Sequence, residues 1–293
     1  MTALDARPVA PGPLAPGPLA AGPLTAGPLV AGPVPPAAAV PTPRRRPKVV
    51  AHRGNSSVAP QNTLAALEAA WRAGADAVEI DVQLTRDGGV VVLHDDSVDA
   101  TTNGTGRLAD LDAAHVRALD AGSWFSRAYV GQRVPVWEEV IDFLLTRPGI
   151  DLLLELKGPW TVDEAARVTA PLLAAGLADR VVAQSFWPET VGALAEAAPQ
   201  LRLGLLVVDA PDDLVDRCLA LGVVACNPFG LLLVQDPGLV DRLHAAGLEV
   251  MTWTLDEPEQ WELAVARGVD AVITDRPDRM AGWLAVQPAP APA

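Results

Sequence analysis

The chain has 293 residues, half of them apolar and a fifth charged, which suits one large folded domain or two small ones and excludes disorder throughout. Its 22 basic residues against 36 acidic ones leave a formal charge of −14, the wrong sign for a general nucleic-acid surface, so a phosphate-bearing partner has to be met locally. Two cysteines, Cys218 and Cys226, exclude a disulfide framework and a cysteine zinc site. No apolar stretch reaches the roughly 20 residues needed to cross a bilayer, and no credible secretory signal is present. The chain is therefore expected in the cytoplasm without a membrane anchor.

Residues 1–47 repeat Gly-Pro-Leu from Gly12, Gly17, Gly22 and Gly27 and run into Arg44-Arg45-Arg46. Proline at that density removes backbone donors and fixes φ, so a polyproline-like or disordered tail ending in a solvated basic hinge is expected. Residues 285–293 form a second, Pro/Ala-rich tail. Between them, over 48–284, short Val/Ile/Leu runs alternate with Ala/Leu/Glu/Arg segments of helical period, the signature of repeated βα units.

Strands are expected at 48–52, 77–82, 89–94, 151–156, 181–184, 203–207, 223–226, 249–253 and 271–274. The second and third are too close for a parallel crossover, and Asp87-Gly88 is a turn signal, so 89–94 is expected to return antiparallel to the second strand. Eight parallel strands remain, the number that closes a (β/α)8 cylinder, the TIM barrel. An insertion over about 83–135 leads into a helix near Trp137–Leu145. An open doubly wound sheet is the rival fold, but Asn55-Ser56-Ser57 after the first strand is no glycine-rich dinucleotide loop.

Barrel chemistry sits at the C-terminal strand ends, and here these carry His52-Arg53-Gly54, Glu79-Ile80-Asp81, His94-Asp95-Asp96, Glu155-Leu156-Lys157, Gln184-Ser185, Thr252-Trp253 and Thr274-Asp275. Side chains two apart share a face, which puts Glu79 with Asp81 and Glu155 with Lys157. A turn centred near Arg86 and Asp87 places His94 opposite Glu79, at the same mouth as His52. Three carboxylates suit a hard divalent cation, Mg²⁺ or Ca²⁺, better than zinc, which usually recruits histidines. Two imidazoles beside such an ion suit proton transfer. Arg53 and Lys157 add fixed positive charge for a phosphoryl group, and Trp253, directly after a barrel strand, is placed either to wall the substrate or to pack in the core. His115 and His244 lie in helix-like surroundings and read as surface residues. Trp71, Trp137 and Trp261 read as packing anchors.

The ordered set Ala51-His52-Arg53-Gly54, Ala59-Pro60-Gln61-Asn62-Thr63, Glu79-Ile80-Asp81-Val82, Leu84-Thr85-Arg86-Asp87-Gly88, His94-Asp95-Asp96, Thr101-Thr102-Asn103-Gly104-Thr105-Gly106, Glu155-Leu156-Lys157 and Thr274-Asp275-Arg276-Pro277 resembles the glycerophosphodiester phosphodiesterases. The resemblance implies a barrel with an insertion after the second strand that hydrolyses glycerophosphodiesters to an alcohol and sn-glycerol 3-phosphate with a divalent cation. By the same resemblance His52 and His94 are the acid/base pair, Glu79, Asp81 and Glu155 the metal ligands, and Arg53 and Lys157 the phosphate contacts. Gln61 stands where the family usually has Glu, keeping volume and an acceptor but dropping a charge. Gln61 and Asn62 are accordingly expected behind the ligands, tuning the ion or His52. Two rival functions share the same residues: cleavage of a lysophospholipid on the same side of phosphorus, and a barrel that binds phosphodiesters without turnover. Whether water or a substrate hydroxyl attacks stays open, as does the oligomeric state.

Overall fold

A computed structural model describes residues 46–287. The Gly-Pro-Leu repeat, Arg44, Arg45 and residues 288–293 lie outside the described residues. Among the described residues, nine strands form one sheet: β1 (Lys48–His52), β2 (Ala77–Leu84), β3 (Val90–Val92), β4 (Asp151–Leu156), β5 (Val181–Ser185), β6 (Arg202–Val207), β7 (Ala225–Pro228), β8 (Glu249–Thr252) and β9 (Ala271–Thr274). Their spatial order is β1-β9-β8-β7-β6-β5-β4-β2-β3, and β1 also pairs with β2. That extra pairing closes eight parallel strands into a (β/α)8 barrel, with β3 as an antiparallel arm outside the cylinder.

Alternation along each strand sorts the core into two shells. Val50, Ala77, Leu153, Ala225, Met251, Ala271 and Ile273 fill the interior. Their neighbours, such as Val49, Val78, Leu152, Leu154, Cys226 and Val272, face outward into the larger cluster beneath the helices. There Trp137 and Trp261 are buried, as expected for packing anchors. Trp71 is half-buried under the Arg147 guanidinium, which lies 5.1 Å from its ring. His115 and His244 are exposed on helices.

Helix starts follow local chemistry. The Thr63 hydroxyl accepts from Ala66 N to open helix Leu64–Arg72, and Pro188, Pro258 and Pro277 each occupy a first helical turn, where the missing N–H costs nothing. Among the described residues no helix is long and apolar enough to cross a membrane.

Two local expectations need correction. The hairpin register pairs Val82 with Val92, and Leu93 N donates to Asp81 O. His94 therefore follows the arm one residue out of the expected register, opposite Ile80 rather than Glu79. The cause is a three-residue loop, Arg86-Asp87-Gly88, closed by Gly88 N to Thr85 O and by Thr85 N to Gly89 O. Gly88 takes the left-handed position (φ 78°) that such a loop requires. The seventh strand starts two residues later than Val223. Gly222 caps helix Leu214–Leu221 in the left-handed region, and Val223 N still bonds back to Cys218 O. The strand consequently runs on to Pro228 and carries Asn227 into the barrel.

Beyond β3 the insertion builds its own small core from Val91, Leu93, Val98, Leu108, Val116, Leu119, Ala121 and Val134. Helix Trp137–Thr146 follows it.

Candidate active site

Two residues beyond each interior apolar residue, the strands present polar groups at the C-terminal mouth. Val50 leads to His52, Ala77 to Glu79 and Asp81, Leu153 to Glu155, Ala225 to Asn227, Met251 to Trp253 and Ile273 to Asp275. After His52 the chain turns through two left-handed residues, Arg53 and Asn62, each at φ 56°. Such positions cost on the order of 1–3 kcal/mol outside glycine and collect at functional sites. Bonds to the neighbouring carboxylates hold them: Arg53 N donates to Glu79 Oε2 at 3.1 Å, and Asn62 Nδ2 donates to Asp81 Oδ2 at 2.8 Å. Gly54 must be glycine, since a Cβ there would lie 2.5 Å from the Ala66 carbonyl carbon.

Carboxylate oxygens of Glu79, Asp81 and Glu155 come within 4.8 Å of one another, and the three residues are only 2%, 1% and 6% exposed. Two cations answer them. Arg53 Nε lies 3.3 Å from Asp81 Oδ2, while Lys157 Nζ lies 3.1 Å from Glu155 Oε1 and 3.6 Å from Asp81 Oδ1. Burial would raise Asp81, but the charges of His94, Arg53 and Lys157 hold it well below the usual carboxylate range. Burial followed by the charges of Asp81 and Glu155 drives Glu79 well above that range, and burial also raises Glu155. Three buried carboxylates thus face two permanent cations and a histidine that counts only when protonated, so with His94 neutral one carboxylate is left without adequate compensation.

This donor set fits a hard divalent cation. It is made of oxygens alone, gathered within one coordination sphere's reach, with an excess of negative charge that an ion would neutralise. Histidine and cysteine are absent from the cluster, against the habit of zinc.

The imidazoles stand beside it, each tied through Nδ1 to a carboxylate. His52 Nδ1 lies 2.7 Å from Asp275 Oδ1, and His94 Nδ1 lies 2.7 Å from Asp95 Oδ1. With the Nδ1 proton held there, the neutral ring keeps its Nε2 lone pair for chemistry. Ser56 Oγ also donates to Asp275 Oδ1 at 2.8 Å. Although burial opposes it, the His52 bond and charge hold Asp275 down at about 2. The His94 bond likewise lowers Asp95. Behind Asp275 lies a third acid, Asp256, whose Oδ1 accepts from Asp275 N and from Thr274 Oγ1, both at 2.8 Å.

The remaining expected residues fall as follows. Gln61 Oε1 accepts from Arg53 Nη1 at 2.6 Å, so its side-chain oxygen is engaged by Arg53. Asn62 fixes Asp81 as described above. Trp253 is half-buried against Phe186 and Phe229, with ring centroids 5.4 and 5.2 Å away, and its indole N–H donates to Asn227 O at 2.8 Å. Asp275, Asp95 and Asp256 were not assigned roles from the sequence. Asp275 and Asp95 carried a signal: one directly follows a barrel strand, and the other adjoins a mouth histidine. Asn227, which donates to Gln184 Oε1 at 2.6 Å, was hidden by the displaced seventh strand.

Comparison with known proteins gives a consistent family. Residues 52–279 match the model of the glycerophosphoryl diester phosphodiesterase family. The chain is 33% identical over 236 residues to a glycerophosphodiester phosphodiesterase of Caldanaerobacter subterraneus, covering 79% of this chain and 95% of that protein. A phosphodiesterase of Oleispira antarctica, solved in complex with the product sn-glycerol-3-phosphate, superposes with a TM-score of 0.76 at 30% identity, covering 82% of this chain and 97% of the other. A glycerophosphodiester phosphodiesterase from Agrobacterium tumefaciens superposes with a TM-score of 0.70 at 29% identity, over 82% of this chain and all of that one. The chain belongs to the glycerophosphoryl diester phosphodiesterase family, enzymes that hydrolyse phosphoric diesters.

Proposed function

We propose that this enzyme hydrolyses glycerophosphodiesters to an alcohol and sn-glycerol 3-phosphate, with Glu79, Asp81 and Glu155 holding Mg²⁺ or Ca²⁺ and with His52 and His94 moving the protons. The observation that carries this reading is the meeting of a buried, under-compensated carboxylate triad with two carboxylate-backed imidazoles. When bound, the cation supplies positive charge against the phosphoryl oxygens. Lys157 and Arg53 add two fixed charges at the same place. Burial works against the Lys157 charge, but Asp81 and Glu155 outweigh it and raise the ammonium pKa, so it stays charged at neutral pH. Trp253 offers an apolar face on the far side of the mouth.

One imidazole Nε2 takes the proton from the attacking oxygen as the new bond to phosphorus forms. The other gives a proton to the alcohol oxygen as the old P–O bond breaks. Asp275 and Asp95 fix Nδ1–H on both rings and stabilise the imidazolium, so the ring that acts as base starts neutral with Nε2 free and the ring that acts as acid starts protonated at Nε2. The product named for the Oleispira relative supports the substrate class.

The test is choline release from glycerophosphocholine with Mg²⁺ or Ca²⁺, repeated in EDTA. Chelator-sensitive hydrolysis is expected. Failure to cleave glycerophosphocholine, glycerophosphoethanolamine and glycerophosphoglycerol under all these conditions would contradict the reading.

Gln61→Glu gives a second test. A carboxylate at this position pairs with Arg53 and weakens that residue's hold on Asp81, so the ion concentration needed for half-maximal rate is expected to change. A metal titration of the variant superimposable on the wild type would remove Gln61 from the ion's surroundings.

A further inference from the structure

The insertion carries a feature that hydrolysis does not use. Trp124, Phe125 and Tyr129 form a contiguous aromatic run, with ring centroids 5.7 and 5.6 Å apart in edge-on contact. Tyr129 Oη donates to Val58 O at 2.7 Å, which joins this run to the loop linking His52 to Thr63. Apolar side chains here stay in solvent: Val58 is 45% exposed, Trp124 40% and Val130 63%. Arg127 is exposed among them. In a chain with 36 acidic residues, positions 121–137 contain none and hold two arginines, Arg127 and Arg133.

We propose that this face docks the enzyme on a phospholipid surface, with the barrel mouth turned toward the head groups. Tryptophan and tyrosine favour the boundary between water and acyl chains, where one end of the ring is wet and the other apolar. Valines beside them add buried area, and an exposed guanidinium meets lipid phosphates. A lipid surface fits better than a second copy of the chain. The patch adjoins the loop of His52 and Arg53, so a self-associated pair would cover its own mouths, whereas a docked monomer faces its phosphodiester source. The carboxylate that lies within this loop, Asp120, is taken up by the backbone N–H groups of Gly122, Ser123 and Gly131, and no other acidic residue falls between it and Glu138 in the chain. Docking is a binding property and does not depend on turnover.

The experiment is flotation of the full chain with neutral phosphatidylcholine vesicles, a composition that gives the basic run Arg44-Arg45-Arg46 no anionic lipid to bind. Wild type is expected to float with the vesicles, and Trp124→Ser combined with Val130→Ser is expected to weaken partitioning at least ten-fold. Glycerophosphocholine hydrolysis, the control for folding, should stay unchanged in that variant. Brominated phosphatidylcholine gives an independent readout: it should quench tryptophan emission in wild type, and Trp124→Phe should lose that quenching while still floating. No flotation at millimolar lipid, or equal flotation by the double variant, would overturn the proposal. So would a wild-type dimer that the double variant converts to monomer, because the patch would then serve a second copy.

Discussion

Replacing His52 or His94 with Ala is expected to lower kcat for glycerophosphodiester hydrolysis by roughly 10²–10⁴, the range carried by a positioned acid or base. KM should move far less, since the proposed function gives phosphate binding to Arg53, Lys157 and the cation. Both single variants should fall to a similar floor, because one ring cannot complete a cycle that needs a proton taken and a proton given. Asp275→Asn is the finer probe. The amide keeps the size and an oxygen near Ser56 but loses the charge that stabilises a protonated His52 ring, so kcat should drop about ten-fold or more at unchanged KM. Steady-state kinetics of the three variants decide the matter. A His94→Ala enzyme with near-normal kcat would remove that ring from the reaction.

Asp275 also leaves a mark on stability. Its pKa is depressed to about 2 in the folded chain, below the unfolded value of about 3.9. Its contribution is therefore present above about pH 4 and is lost as pH falls toward 2. Asp275→Asn should flatten the acid limb of the Tm profile across that window, as thermal denaturation at a series of pH values will show.

Glu79→Gln is expected to have opposite effects on stability and activity. Burial and two neighbouring carboxylates raise the Glu79 pKa above its unfolded value. The folded state is thus favoured while Glu79 is protonated, and that advantage disappears as pH rises through the folded pKa. At pH 8 in EDTA the folded wild type bears a penalty, whether it keeps this charge or takes up a proton to lose it. The glutamine variant does not, while its Oε1 can still accept from Arg53 N. Its Tm in EDTA should exceed the wild type's by about 2 °C or more, the size of ~1 kcal/mol in a domain this large. Adding Mg²⁺ or Ca²⁺ should stabilise the wild type and leave the variant nearly unmoved, and the variant's hydrolysis should fall steeply. A variant less stable than wild type in EDTA at pH 8 would contradict the assignment of Glu79 as an under-compensated carboxylate.

Most of the barrel was readable from the chain because buried parallel strands are short apolar runs, and each of these ends in a polar group wherever the site is built. His52, Glu79, Asp81 and Glu155 were legible for that reason. Two features were less so. The His94 register depended on whether the hairpin loop holds two residues or three, a choice made by Gly88 in its left-handed conformation. The seventh strand was displaced because Val223 and Val224 look like strand while Gly222 still caps a helix, and that shift concealed Asn227. The roles of Asp275 and Asp256 were concealed differently. Their partners lie about 220 and 20 residues away in sequence, and only closure of β9 against β1 brings Asp275 to His52. The exposed aromatic run of the insertion carries no periodic signal, so its place beside the mouth emerged only from the Tyr129 bond to Val58.

The central claim is that one cation and one phosphoryl group are held between the carboxylate triad and the two imidazoles. A crystal soaked with Mn²⁺ and glycerol 3-phosphate tests it most directly, with anomalous scattering marking the ion. The account predicts a single strong peak bonded to Glu79, Asp81 and Glu155, with the phosphate against Arg53 and Lys157 and within reach of both ring Nε2 atoms. An ion bound away from these three carboxylates, or a phosphate that neither His52 nor His94 can reach, would contradict it.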